Sequence, residues 1–142
     1  MRVIIPITAD KIKFIALRLA IDTMSWDEPI PEFETRFPNV LESCIVTPFQ
    51  KFNKKYLYQG LIGKAAILFY LLIKNHPFQN GNKRIAITTL LIFLYLNKKW
   101  LEVDKKVLYN TSRWVASSPP EAKEEMIKYI EKFIKKNIQN LS

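Results

Sequence analysis

Two long apolar segments separated by a short polar stretch constrain the fold of this chain more than any other feature. They are AAILFYLLI at 65–73 and IAITTLLIFLYL at 85–96, and the polar stretch NHPFQNGNKR at 75–84 lies between them. Both segments are well short of the roughly 20 apolar residues that a helix needs to cross a bilayer. Helices that are apolar on every face are buried, so the pattern predicts two core helices and no membrane span.

Length and composition indicate one globular domain. The chain has 142 residues, of which 49% are hydrophobic and 25% charged, enough to bury a core without cross-links. The one cysteine, Cys44, excludes an internal disulfide framework and favours a reducing, cytoplasmic location. We expect its thiol to be a small buried group rather than a reactive one.

The domain organisation follows from the absence of linker-like composition. No Gly/Ser-rich tract divides the sequence, and its apolar start turns polar too early for a signal peptide. We expect a single domain over 1–142. An N-terminal helix and loop would occupy 1–40, and the core with the functional loop would occupy 41–142.

The net charge of +9 and the isoelectric point near 9.7 favour an anionic partner, such as nucleic acid, nucleotide or an acidic protein. Much of the positive charge lies near the C-terminus, where lysines line the polar face of a predicted helix, as on a solvated surface. The sequence has no zinc-finger spacing, arginine-rich arm or aromatic RNA-binding signature. Nucleic acid is therefore the less favoured partner.

The spacing of apolar residues predicts an all-α fold. Helices are expected in five segments, which are 9–21 with Thr8 as N-cap, 39–44, 55–75, 81–97 and 105–116. Ser118 to Glu121 match a capping box that opens a last amphipathic helix. The segment DEPIPEFETRFP carries three prolines and predicts a loop. IVTPFQKF at 45–52 is β-prone but contains a proline, so it predicts an edge strand or flap.

The same spacing predicts which residues face the core. In the first helix they are Ile12, Ile15, Ala16 and Leu19. In the helix over 55–75 they are Leu57, Leu61, Ala65, Leu68 and Leu72. In the last helix they are Met126, Ile127, Ile130, Phe133, Ile134 and Ile138. Gly60 and Gly63 are expected inside the second of these helices, where they weaken it and permit close packing.

The polar stretch has the properties of an anion-binding loop. His76 precedes a proline and is therefore expected where the first core helix ends, while Phe78 is expected to point inward. Asn-Gly-Asn at 80–82 predicts a turn that leads directly into the second core helix, whose first N–H groups and dipole attract an anion. Lys83 and Arg84 place two cations in that first turn. Each feature alone is more often structural, but their conjunction favours a functional loop.

HPFQNGNKR resembles the signature of the Fic/Doc family, in which His-x-Phe-x-Asp/Glu-Gly-Asn-Gly/Lys-Arg forms the active loop. The lysine before the final arginine is similar to the death-on-curing (Doc) branch of toxins. The helices on both sides of the loop and the upstream flap occur in the family's order, so the resemblance covers roughly 41–133. It implies an all-α, Fic/Doc-like helical bundle with a short β-flap.

The resemblance implies a role for each residue of the loop. His76 would be the general base that takes a proton from the target hydroxyl, and Phe78 would anchor the loop. The phosphates of ATP would be bound by Asn80, Gly81, Asn82, Lys83 and Arg84. The two cations of this set would also neutralise charge on the transferring phosphate. The flap would dock an extended segment of the target by strand addition, through Ile45, Val46, Thr47 and Phe49.

Two positions differ from the family pattern. Asn80 stands where the family has an acid that binds Mg²⁺, and a neutral amide oxygen is a weaker Mg²⁺ ligand than a carboxylate. Ile87 stands where nucleotidylating members carry a further arginine, a difference shared with the Doc branch. Because that arginine would hold the remaining phosphates, its loss favours phosphate transfer over AMP transfer.

The resemblance therefore implies a Doc-like toxin kinase. It would transfer phosphate from ATP to a Ser or Thr hydroxyl of a translation factor, expected to be factor Tu, and so arrest translation. An antitoxin in trans is the expected silencing partner, since Ser117 to Glu121, the nearest match to the family's inhibitory helix, is explained as a capping box. Two alternatives stay open. One is a protein nucleotidyltransferase, which transfers AMP. The other is a Fic-like module that binds nucleotide or nucleic acid and is catalytically impaired because of Asn80.

Overall fold

The computed structural model describes residues 3–26 and 28–141, which form six helices and two short antiparallel strand pairs. The helices are α1 (the contiguous segments Ala9–Lys11, Ile12–Ala16 and Leu17–Thr23), α2 (Pro38–Val46), α3 (Gly60–Lys74), α4 (Asn82–Leu96), α5 (Lys105–Ser117) and α6 (Lys123–Asn137). The strand pairs are β1 (Lys51–Phe52) with β2 (Lys55–Tyr56), and β3 (Lys99–Leu101) with β4 (Ile138–Asn140). This architecture confirms the expected all-α bundle with a short β-flap.

Helices α3 and α4 form the centre of the fold. Every residue from Gly63 to Ile73 and from Arg84 to Leu94 is buried. Helix α3 packs against both α4 and α6, while α1 and α5 pack against α4. The two apolar segments are therefore the core helices that the sequence predicts. Within residues 3–26 and 28–141, no helix combines the length and the apolar character of a membrane span.

Helix α1 begins as predicted, because the Thr8 side chain accepts a hydrogen bond from the Lys11 N–H at 3.2 Å. Its middle segment, Ile12–Ala16, is a π-helix, whose wider turn rotates the residues that follow. Ile12 and Ala16 are buried as expected, but Ile15 is 43% exposed and Leu17 takes a core position at 5% exposure. The prediction for Ile15 is wrong for this reason.

The segment 45–52 is mostly helical, which corrects the predicted strand. Ile45 and Val46 end α2, and Thr47–Phe49 form a 3₁₀ turn. Two local features favour this geometry. The Thr47 hydroxyl donates to the Ser43 carbonyl at 2.7 Å, and Pro48 lies in the first turn, where its missing N–H costs nothing. The β-hairpin begins only at Lys51, and its turn residues Asn53 and Lys54 both have positive φ.

The hairpin also displaces the start of α3. Residues 55–56 form β2, so the helix begins at Gly60 rather than at 55, and Leu57 lies outside it with 53% exposure. Gly60 has φ +66°, the left-handed region that favours glycine. Gly60 therefore marks the entry to α3, whereas Gly63 lies inside the helix.

The junction of α5 and α6 differs from the predicted capping box. Ser118 caps the end of α5, since its N–H and hydroxyl both donate to the Val115 carbonyl, at 3.1 and 2.6 Å. A 3₁₀ turn at Pro120–Ala122 precedes α6. Of the predicted inward residues of α6, the buried ones are Met126, Ile130 and Ile134, and the half-buried ones are Ile127 and Phe133. Ile138 belongs to β4 instead. The pairing of β4 with β3 has no sequence signal.

We expect Gly60→Ala and Gly63→Ala to change stability in opposite directions. An alanine at Gly60 has open space around its Cβ but must adopt φ +66°, which costs about 1 kcal/mol. An alanine at Gly63 would meet the Tyr58 carbonyl carbon at an ordinary 3.5 Å and should stabilise the helix by about 0.5–1 kcal/mol. Urea unfolding of both variants measures the difference, and equal effects would contradict the assignment of Gly60 as the helix entry.

Candidate active site

The polar loop, residues 75–81, forms a tight connection between the two core helices. Helix α3 ends at Lys74, and His76 leaves the helix with φ +51°. Pro77 is buried, and its carbonyl accepts a hydrogen bond from the Phe37 N–H at 2.8 Å. The His76 side chain is exposed. The loop is thus anchored on both sides of a histidine that faces solvent.

Asn82 closes the loop with its side chain. The Asn82 Oδ1 accepts from the Phe78 N–H at 2.9 Å, and its Nδ2 donates to the Phe78 carbonyl at 2.8 Å. Phe78 is 1% exposed, with its ring 6.3 Å from that of Phe33. Phe78 therefore points inward as predicted, although its anchoring role in catalysis stays a prediction. The Asn82 side chain holds the loop, and its expected binding of phosphate stays a prediction.

The same amide contacts the histidine. Asn82 Nδ2 lies 3.5 Å from His76 Nδ1. An amide nitrogen can only donate, so a hydrogen bond at this position forms only with an unprotonated Nδ1. The distance is long for a hydrogen bond. A hydroxyl that approaches Nδ1 can therefore displace the Asn82 amide at little cost in free energy.

Gly81 forms the N-terminus of α4 and brings the chain close to its neighbours. It has φ +73°, and a Cβ at this position would lie 3.3 Å from Ile30 Cγ1 and 3.5 Å from Arg84 Nη2. No other residue type fits both restrictions well. The first N–H groups of α4 have no partner within the helix, and the helix dipole adds partial positive charge there. An anion can therefore bind at this backbone.

The side-chain oxygen of Asn80 is a hydrogen-bond acceptor to which no group in the described residues donates. This Oδ1 atom is buried and has no hydrogen-bond partner there. Such an atom is costly unless a donor or a cation binds it, so it fits a ligand at this position. The fit to Mg²⁺ is limited, because the described residues contain no group of three His, Cys, Asp or Glu that could hold a metal. A Mg²⁺ ion would draw its other ligands from phosphate and water.

The Arg84 guanidinium lies beside Gly81 but is bound to backbone carbonyls, and its expected role in the anion site stays a prediction. It is 3% exposed, and its guanidinium donates to three backbone carbonyls. Nη1 bonds those of Met24 at 3.1 Å and Trp26 at 2.8 Å, and Nη2 bonds that of Glu28 at 2.6 Å. Arg84 therefore holds the segment that follows α1. Lys83 is half-buried and forms no ion pair with the described residues.

A protein-family model described as Fic: Fic/DOC family matches residues 6–94. The chain belongs to the Fic/DOC family. Members of this family typically transfer nucleotide or phosphate groups to proteins. Searches of curated proteins and of solved structures find no match to the chain. The matched stretch contains the polar loop, and it includes α1, which lies outside the 41–133 stretch of the resemblance.

The inclusion of α1 in the Fic/DOC match agrees with the contacts of Arg84. Residues of the segment 24–28 follow α1 directly, and they accept the three hydrogen bonds of the Arg84 guanidinium. The N-terminal helix and loop are thus part of the structure that supports the polar loop. The expected single domain over 1–142, with its N-terminal part over 1–40, stays a prediction.

A buried lysine that the sequence analysis missed fixes the Fic/DOC flap. Lys64 is 1% exposed in the second turn of α3. Its Nζ donates to the Tyr58 carbonyl at 2.6 Å and lies 3.9 Å from the centroid of the Tyr56 ring. Loss of solvation lowers its pKa. The sequence signal that could have found it is a single lysine among apolar residues. A lysine is rarely buried without a partner, so this position predicts a buried contact for its ammonium.

The predicted docking residues do not form an exposed strand. Phe49 is half-buried, and its ring packs edge-on against Tyr56 and Phe93, with centroids 6.4 and 6.3 Å apart. Within the hairpin, Phe52 is 67% exposed. Val46 is 60% exposed as well, and the docking role of Ile45, Val46, Thr47 and Phe49 stays a prediction.

The single cysteine is structural, as expected. Cys44 is buried in α2, and burial raises the pKa of its thiol to about 11. A thiol with such a pKa is almost entirely protonated at neutral pH and is a poor nucleophile.

We expect Asn82→Ala to cost much more stability than Asn80→Ala. The first substitution leaves the buried N–H and carbonyl of Phe78 without partners, at about 1–3 kcal/mol. The second removes an oxygen that has no partner among the described residues, so the free energy of unfolding should stay equal or rise slightly. Thermal or urea unfolding compares the two, and equal losses would contradict the role given to Asn82.

We expect Lys64→Met to loosen the hairpin while the core stays intact. Methionine keeps the apolar volume but removes the donor to Tyr58 and the cation over Tyr56. Amide hydrogen exchange over 51–57 should become about tenfold faster, with little change in α3 and α4. Lys51→Met is the matched control, because Lys51 also lies over Tyr56, at 4.7 Å, but is exposed. Equal acceleration in both variants would contradict the role of Lys64.

Proposed function

We propose that this chain is a Doc-branch member that transfers the γ-phosphate of ATP to a Ser or Thr hydroxyl of a protein. The observation that carries the proposal is Ile87, which is fully buried in α4 where nucleotidylating members carry a further arginine. In AMP transfer the β- and γ-phosphates leave together as pyrophosphate. An isoleucine in the core offers no cation to bind them. Phosphate transfer needs only the terminal phosphate beside the hydroxyl, at the N-terminus of α4.

In this reaction the loop residues act by position and charge. His76 takes the proton of the attacking hydroxyl, on Nδ1 in the tautomer that Asn82 favours. The hydroxyl oxygen forms the new bond to the γ-phosphorus, the bond from that phosphorus to the bridging oxygen breaks, and ADP leaves. The first N–H groups of α4 and the ammonium of Lys83 stabilise charge on the transferring phosphate.

Asn80 would hold Mg²⁺ weakly, and the metal would neutralise charge on the phosphates of ATP. Only the amide Oδ1 is offered, and this atom lacks a partner within the described residues. A neutral oxygen binds Mg²⁺ less tightly than a carboxylate does, so we infer that the reaction needs a high Mg²⁺ concentration.

The proposed target is a translation factor, factor Tu in the Doc branch, in the cytoplasm, and the proposed regulator is an antitoxin in trans. One feature supports regulation in trans. Ser117 to Glu121, the nearest match to the family's inhibitory helix, spans the end of α5 and a 3₁₀ turn. The Ser117 hydroxyl donates a hydrogen bond to the Trp114 carbonyl at 2.9 Å. This segment serves the junction of two helices.

A binding module without turnover is the second candidate. Two observations favour it. Asn80 carries no charge, and the Arg84 guanidinium already donates to three backbone carbonyls. In this case the loop binds nucleotide, and His76 has no catalytic role. AMP transfer to a protein is the remaining enzymatic alternative.

Paired labelling of bacterial cytosol with Mg²⁺ tests the proposal. One arm receives ATP labelled on the γ-phosphate and the other receives ATP labelled on the α-phosphate, each with His76→Ala as the control. We expect a protein labelled only in the γ arm, with the label lost in His76→Ala. Asn80→Asp should raise the labelling rate and lower the Mg²⁺ requirement, since it restores a carboxylate.

Three other outcomes would overturn the proposal. Label on the protein from the α-phosphate indicates AMP transfer. Label that persists in His76→Ala indicates a different base or a contaminating kinase. Silence of both arms, for the chain and for Asn80→Asp, indicates the binding module.

A further inference from the structure

A cavity of about 550 Å³ lies between the segment after α1 and the first turns of α5. Its volume is within the roughly 300–1,000 Å³ typical of small-molecule sites. It is lined by Trp26, Asp104, Lys105, Lys106, Tyr109, Asn110 and Arg113. None of these residues belongs to the polar loop. We propose that this cavity is a separate binding site for a mononucleotide, with the base against Trp26 and the phosphate on the cations of α5.

The aromatic part of the cavity suits a planar base. The rings of Trp26 and Tyr109 meet edge to face, with centroids 5.6 Å apart and planes at 87°. The Trp26 side chain is 38% exposed, so part of the indole is accessible to a ligand. Stacking of a base on an aromatic side chain is a common and sequence-tolerant mode of nucleotide binding.

The charged part of the cavity suits a phosphate. Lys105, Tyr109 and Arg113 are spaced by four residues and therefore lie on one face of α5, with Lys106 and Asn110 beside them. The only carboxylate among the described lining residues, Asp104, caps the helix by accepting from the Lys106 N–H at 3.2 Å. The described lining therefore holds three cations, Lys105, Lys106 and Arg113, against one carboxylate, and this positive excess favours an anion.

Arg84 connects this cavity to the polar loop. Its guanidinium bonds the Trp26 carbonyl at 2.8 Å and fixes the neighbouring carbonyls of Met24 and Glu28. The wall that carries the indole is therefore held from the first turn of α4. Arg84 does not line the cavity, so it acts here as a positioning residue. A ligand that moves Trp26 would change the hydrogen bonds of Arg84.

Calorimetric titration of the whole chain with AMP, without Mg²⁺, tests the proposal. We expect saturable binding of AMP, and at least about tenfold weaker binding of adenosine and of ribose 5-phosphate, because each keeps only one of the two contacts. Trp26→Leu and Arg113→Ala should each weaken AMP binding about tenfold. Arg84→Lys should weaken it too, since one ammonium cannot hold three carbonyls in a fork.

Matched controls separate this site from general charge and from the polar loop. Trp114→Leu removes an exposed indole of the same helix, which packs on Tyr129 at 4.4 Å outside the cavity. Lys128→Ala removes an exposed cation of α6. Both should leave AMP affinity within about twofold. Lys83→Ala should also leave the cavity site intact.

Three results would overturn the inference. The first is an absence of AMP binding. The second is that Lys83→Ala loses AMP binding while Trp26→Leu keeps it. The third is that the chain binds a single-stranded oligonucleotide but not AMP. None of these depends on protein labelling, so failure of the cavity site and failure of the phosphotransfer proposal are distinguishable.

Discussion

Burial of α3 and α4 on every side is the constraint on which the rest of the structure depends. Polar groups inside this pair have no access to water and need partners from the protein. Lys64 bonds the carbonyl of Tyr58, Arg84 bonds three carbonyls at 24–28, and Asn97 exchanges two hydrogen bonds with the backbone of Ile5, at 2.7 and 2.9 Å. Each of these side chains fixes a peripheral segment to the core, so the hairpin, the segment after α1 and the stretch at Ile5 depend on buried polar groups.

The polar loop follows the same rule and departs from it at one atom. Asn82 satisfies both backbone groups of Phe78, and the buried Pro77 carbonyl accepts from Phe37. The exception among the loop's described side chains is the Oδ1 of Asn80, which is buried without a partner. An unsatisfied acceptor beside a helix N-terminus is a natural position for a bound cation or donor. Asn80 is also a position at which the loop differs from the Fic/DOC pattern that it resembles.

Local rules failed where two structures were both allowed by the sequence. The β-prone residues Ile45 and Val46 are helical, because Pro48 fits the first turn of a 3₁₀ segment as well as it fits an edge strand. Ser118 has the composition of an N-cap but caps the end of α5. The inward face of α1 shifts at its π-helical segment, so Ile15 is exposed. In the first two cases local hydrogen bonds support the observed geometry, from Thr47 to Ser43 and from Ser118 to Val115.

The sequence by itself determined the two core helices, the loop between them and the turn at Gly81. These features follow from apolar composition, from proline and glycine geometry and from helix termini, all of which act over a few residues. Only the tertiary structure decided where the functional side chains point. Arg84 bonds carbonyls some 56 to 60 positions away, and Lys64 bonds a carbonyl whose position depends on the hairpin. No local pattern encodes such partners, because burial and satisfaction of polar groups are settled only when the elements pack together.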